Sequence, residues 1–131
     1  MQKRSELREK CMIILYQYEM YVNSNISTDI DEIISDNIEV DNEFVKDIVY
    51  GVITHKNDID TKINNYLEDW NINRLDRTGA SILRIGAYEL LYTDTPEIVV
   101  INEAVELAKK YTDDDLRKII NAVLDKIAKD K

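Results

Sequence analysis

Residues 75–90 carry the clearest structural pattern in the chain and read LDRTGASILRIGAYEL. Their apolar and small side chains recur at spacings of three and four residues, which is typical of one face of an α-helix. A glycine costs a helix interior about 1 kcal/mol relative to alanine, so two glycines on one face indicate a reason in packing. We therefore predict a central helix that its neighbours approach closely. The predicted face consists of Leu75, Gly79, Ile82, Leu83, Gly86, Ala87 and Leu90.

Helical periodicity also precedes this segment. Residues 5–22 have one apolar stripe, which ends with Tyr18 and Val22, and a shorter pattern follows Thr28, a candidate N-cap. Between residues 41 and 67 apolar side chains repeat without a proline, which predicts one helix of roughly 25 residues. Residues 73–76 then supply a capping region for the central helix.

Two more helices are predicted after residue 92. The turn formers Thr93-Asp-Thr-Pro96 interrupt the pattern. The β-branched run 98–101 has no partner strand elsewhere, so we interpret it as an approach to a helix at about 101–111. Thr112 is the predicted cap of the last helix, whose first turn holds three aspartates. Together these patterns predict a single all-α domain over residues 1–131, with about six to seven helices.

The composition excludes several classes of protein. Cys11 is the only cysteine and His55 the only histidine among 131 residues, which excludes a disulfide framework and a Cys- or His-rich metal site. No apolar run reaches the length of a membrane span, and the N-terminus lacks the apolar region of a signal peptide. We therefore expect a cytoplasmic protein without a cofactor. Neither Cys11 nor His55 has a partnered nucleophile or base nearby in sequence, so we interpret both as structural residues.

The net charge of −9 is unevenly distributed. Lys3, Arg4 and Arg8 lie at the start of the first helix and are called the basic tip below, whereas residues 11–69 contain 3 basic and 13 acidic side chains. Cations are disfavoured at a helix N-terminus, and an anionic partner could offset that cost. Composition alone leaves two interpretations open, a phosphate-binding tip and a solvated helix end.

Four blocks of sequence and the start of the chain carry a resemblance to a known family. The blocks are SILRIGAYELLY at 81–92, Thr95-Pro96, VINEAVELAK at 100–109 and KIINAVLD at 118–125, and the start is Arg8-Glu9-Lys10 followed by Leu15-Tyr16. In order and spacing they resemble the bacterial NusB family of transcription antitermination factors. The resemblance implies two packed helical subbundles that bind NusE, a small-subunit ribosomal protein, and with it the single-stranded boxA element of nascent RNA. Such a complex helps RNA polymerase to resist termination, notably on ribosomal RNA operons, without catalysis.

The resemblance also assigns residues to the two partners. Tyr16 and Gly79 match positions where the family meets NusE. The resemblance places Arg8, Asp115, Lys118 and Asn121 near the RNA path, and the charge pattern adds Lys3 and Arg4 of the basic tip to the residues predicted for RNA binding.

The chain departs from the family pattern in two places. Ser5 and Glu6 interrupt the arginine-rich start, and Asn121-Ala122 replaces the usual Asn-Gly of the last helix. These departures predict weak intrinsic RNA affinity and more reliance on NusE.

The sequence leaves two alternatives open. Similar helical domains form the N-terminal RNA-binding part of ribosomal RNA cytosine methyltransferases, although the chain has no Gly-rich loop for a cofactor-binding domain. Some family members also self-associate through the partner-binding surface, which allows a homodimer.

Overall fold

A computed structural model describes residues 3–131. Within that range the chain forms seven α-helices and one short 3-10 turn, and no strand is present. The predicted all-α class is thus confirmed. The helices are α1 (Arg4–Asn23), α2 (Ile30–Asn37), α3 (Glu43–Thr54), α4 (Lys56–Asn64), α5 (Arg77–Tyr92), α6 (Glu97–Tyr111) and α7 (Asp114–Asp130), with the 3-10 turn at Ile72–Arg74.

The helix α5 lies at the centre of the molecule, and every residue from Gly79 to Leu90 is buried. One group of helices, α1 to α3, contacts α5 through α1 and α3, while α6 and α7 pack against its other side. The glycines mark the closest approaches: a β-carbon added at Gly86 would lie 2.7 Å from Leu124 Cδ1. The prediction of a tightly packed central helix is confirmed.

The predicted long helix between residues 41 and 67 is wrong, because the chain bends at His55 and forms α3 and α4. His55 has φ −102° and ψ 16°, outside the helical range, and its ring stacks on Tyr92 of α5 with centroids 4.2 Å apart. The bend lets α4 turn along α5, where Asp60 accepts two hydrogen bonds from Arg84 at 2.8 and 3.0 Å. A contact with another helix therefore ends α3 at a position where no proline or glycine does so.

Three helix starts also differ from the predicted ones. The caps of α2 and α7 are Asp29 and Asp113, each one residue after the predicted threonine, and each carboxylate accepts a backbone N–H of the first turn. The helix α6 begins at Glu97 instead of about 101, because Pro96 supplies a fixed φ just before it. The β-branched run 98–101 is therefore helical. The predicted cap region of α5 is confirmed by Asp76, whose carboxylate accepts from Gly79 N at 3.3 Å.

None of the helices within residues 3–131 combines the length and the apolar character that a membrane span requires.

Candidate nucleic-acid interface

Arg4 of the basic tip is exposed, but a contact with another helix fixes the position of its side chain. Its guanidinium lies over the ring of Phe44, the second residue of α3, at 4.7 Å from the centroid. Among residues 3–131 neither Lys3 nor Arg4 forms an ion pair with a carboxylate, and both are exposed. A planar cation that is stacked on one face keeps its N–H donors available for an anion.

Arg8 has a different environment from the one predicted, because it is buried with only 3% of its surface exposed. Its Nε and Nη2 donate to the two carboxylate oxygens of Glu89 at 2.8 Å each, and Nη1 lies 3.7 Å from Glu103. Burial opposes its charge, but the hydrogen bonds and the negative charge of Glu89 raise the pKa of Arg8 above its ordinary value. The expectation of a free cation at this position is wrong, and a role of Arg8 in RNA binding would have to act through the placement of α1.

The residues predicted on α7 are all exposed. Asp115 lies in the first turn, where a carboxylate is favoured by the helix dipole, and Lys118 and Asn121 follow on the next turns. An ion pair of 2.9 Å between Glu9 and Lys110 joins the second turn of α1 to the end of α6, shortly before α7 begins.

The structure does not bring the exposed tip and the α7 residues into one cluster. Arg4 faces the start of α6, where it lines a groove with Pro96 and Val99, whereas α7 begins beyond the other end of α6. A helix of 15 residues is about 22 Å long, so a ligand that touches both would have to extend along α6.

Tyr16 lies on an exposed apolar surface of α1. It is 36% exposed, and Met20, one turn later, is 40% exposed. Val22 was predicted to face the core but is 43% exposed, because α1 extends past the helices that cover its first half. Neighbouring exposed apolar side chains are a feature of protein-binding surfaces. Tyr16 and Met20 are four residues apart and share one face of α1. This pair is called the α1 patch below.

Gly79 is buried near the start of α5, where α7 packs against it. A β-carbon there would lie 2.4 Å from Leu116 Cδ2, so the glycine allows the first turns of α7 to approach α5. Its predicted role at a partner surface stays a prediction, and the geometry shows a packing role.

The remaining candidate groups have structural surroundings. Burial raises the pKa of the Cys11 thiol well above its usual range, which suppresses the reactive thiolate. His55 is half-buried in its stack with Tyr92. Among residues 3–131 no three His, Cys, Asp or Glu side chains converge as a metal site would require.

Sequence reasoning missed the partner of Arg8. Glu89 is 2% exposed within a helix segment where its neighbours are nearly all apolar or small. A charged residue in such a place requires a buried partner of opposite charge. The position of Glu89 in the sequence therefore indicated that a cation would pair with it. Phe44, which fixes Arg4, had no comparable signal, since its apolar side chain fits a core position equally well.

Comparisons with known proteins agree with this geometry. The model of the NusB family matches residues 5–129. The transcription antitermination protein NusB of Macrococcus caseolyticus is 43% identical, with 98% of both chains covered. The crystal structure of T. maritima NusB superimposes with a TM-score of 0.86 at 32% identity, covering 98% of this chain and 92% of that one. A crystal structure of antitermination factors NusB and NusE in complex with dsRNA matches with a TM-score of 0.83 at 27% identity, covering 98% and 97%. This chain belongs to the NusB family.

Proposed function

We propose that this protein is a transcription antitermination factor that binds boxA RNA together with NusE and joins the antitermination complex on RNA polymerase. The observation that carries the proposal is the family membership over nearly the whole chain. Relatives of this length bear the name of that function, and one solved neighbour is bound to NusE and RNA. The chain would act in the cytoplasm as one domain over residues 1–131 and as a binding factor, not an enzyme.

The RNA surface of this proposal is built from exposed polar groups. Lys3 and Arg4 supply cations without carboxylate partners among the described residues, and phosphate contacts need such cations. On α7, Lys118 adds a further cation, and Asp115 and Asn121 offer hydrogen bonds to unpaired bases. Arg8 supports this surface indirectly, because its pair with Glu89 fixes the first turns of α1.

The NusE surface of the proposal is the α1 patch, which includes Tyr16. A partly exposed tyrosine among apolar neighbours is a common anchor of protein interfaces, since it buries a large ring and keeps a polar hydroxyl. The same patch could pair two copies of the chain, so NusE and a homodimer would compete for it.

The proposal is tested by fluorescence anisotropy with labelled boxA RNA, with and without purified NusE. We expect weak binding by the protein alone and tighter binding by its complex with NusE. A transcription assay on a template with boxA before a terminator should show more read-through when both proteins are present. Absence of RNA binding in both states would exclude the proposed function.

A further inference from the structure

A groove separates the first turn of α1 from the turn between α5 and α6. Its volume is about 570 Å³, which lies in the range of small-ligand sites. The residues that line it are Arg4, Ser5, Arg8, Asp94, Thr95, Pro96, Val99 and Glu103, and Arg8 among them is already paired with Glu89.

Some polar groups of this groove are already engaged within the protein. Ser5 Oγ donates to Glu103 at 2.6 Å, and the same carboxylate lies 3.7 Å from Arg8. Arg4 and Asp94 have no such partners among residues 3–131: both are exposed and they do not pair with each other. The groove therefore offers one available cation and one available carboxylate.

An apolar surface lies in the same groove. Pro96 and Val99 line it, and Val99 is 39% exposed although it belongs to a helix whose apolar residues mostly face the core. The neighbouring Ile98 is 70% exposed but does not line the groove. The groove thus combines a cation, an apolar wall and a hydrogen-bond acceptor.

These three features match the three parts of an unpaired nucleotide. We propose that the groove binds one single-stranded RNA nucleotide, with its phosphate on Arg4, its base against Pro96 and Val99, and its edge on Asp94. A carboxylate accepts two hydrogen bonds and donates none, so it favours guanine, whose N1–H and N2–H₂ are adjacent donors. This inference rests on the proposed RNA-binding function and adds a base preference at a site far from the first turns of α7, near the start of α6.

The experiment measures anisotropy of a fluorescein-labelled single-stranded boxA RNA that contains guanines, bound by the full chain with NusE. Arg4→Met keeps the apolar contact with Phe44 but removes the charge, and Val99→Asp places a carboxylate on the apolar wall. The matched control is Ile98→Asp, which adds the same charge one residue away and outside the groove. We expect Arg4→Met and Val99→Asp to weaken RNA binding about tenfold, and Ile98→Asp to stay within about twofold of the unmodified chain.

A second arm tests the base preference. Each guanine of the RNA is replaced in turn by inosine, which lacks the N2 amino group. One replacement should weaken binding about fivefold to tenfold in the unmodified chain, and Asp94→Ala should remove that sensitivity.

Three outcomes are informative. Equal RNA affinity for Arg4→Met, Val99→Asp and Ile98→Asp would overturn the nucleotide site while leaving the proposed function intact. Loss of NusE binding in Val99→Asp, with RNA binding retained, would overturn it in favour of a protein-binding groove. Failure of the unmodified chain to bind RNA, with or without NusE, would refute the proposed function itself.

Discussion

Replacement of Arg8 by alanine should be among the most damaging single changes in this protein. The variant would leave Glu89, 2% exposed, without the guanidinium that donates to both of its oxygens at 2.8 Å. Breaking a buried ion pair by removing one partner costs about 3–5 kcal/mol. That is a large part of the roughly 5–15 kcal/mol by which native domains are stable.

Urea unfolding followed by far-ultraviolet circular dichroism measures this loss. With an m-value of about 1.5 kcal/mol/M, the unfolding midpoint of Arg8→Ala should fall by roughly 2–3 M. The control is Arg117→Ala, because Arg117 forms an exposed pair of 3.5 Å with Asp114, which has 87% of its side chain exposed. Such pairs contribute at most about 1 kcal/mol.

A double variant separates the buried charge from general loss of packing. Arg8→Met combined with Glu89→Leu removes both charges and fills the space with apolar groups, so it should recover most of the lost stability. An Arg8→Ala midpoint no lower than that of Arg117→Ala would refute the assigned role of the pair.

Further predictions concern packing, partner binding, proton binding and thiol reactivity. Gly86→Ala should cost about 1–3 kcal/mol in urea unfolding, because the new methyl group meets Leu124 at 2.7 Å, and Leu124→Val in the same chain should recover part of the loss. Tyr16→Asp should weaken NusE binding at least tenfold in calorimetry without moving the unfolding midpoint, since this side chain is 36% exposed. Burial, with a hydrogen bond to a carboxylate, raises the pKa of Tyr88 from 10.0 to about 12. The protonated hydroxyl therefore stabilises the fold fully below pH 10, and this contribution should be lost as the pH rises through 12. Tyr88→Phe should flatten that part of the profile of unfolding free energy against pH. Cys11 should react with a thiol reagent only as fast as the protein unfolds, and rapid labelling of the native state would contradict its burial.

The helices and their core faces could be predicted because periodicity is a local property. Gly79 and Gly86 correctly indicated close packing of α5. Aspartates near the predicted starts of α2 and α7 cap these two helices. Errors of one residue at these caps arose because threonine and aspartate both cap helices.

What could not be predicted depends on contacts between distant segments. The bend at His55 arises from its stack on Tyr92, and nothing in the local sequence breaks the helix there. The sequence shows that Arg8 is charged but not that it forms a buried ion pair, because its partner Glu89 lies 81 positions later. The candidate groove at Arg4 likewise combines the first turn of α1 with residues of the α5–α6 turn.

The separation between Arg8 and Glu89 has a consequence for synthesis on the ribosome. At about 5–20 residues per second, α1 emerges roughly 4–16 s before the helix that supplies its carboxylate. Two further contacts of α1, from Ser5 to Glu103 and from Glu9 to Lys110, span 98 and 101 positions and form later still. The first turns of α1 therefore wait for α5 and α6 before all their contacts form. A chain truncated before α5 would keep α2 and α3 beside α1 but would lack the carboxylate that holds Arg8.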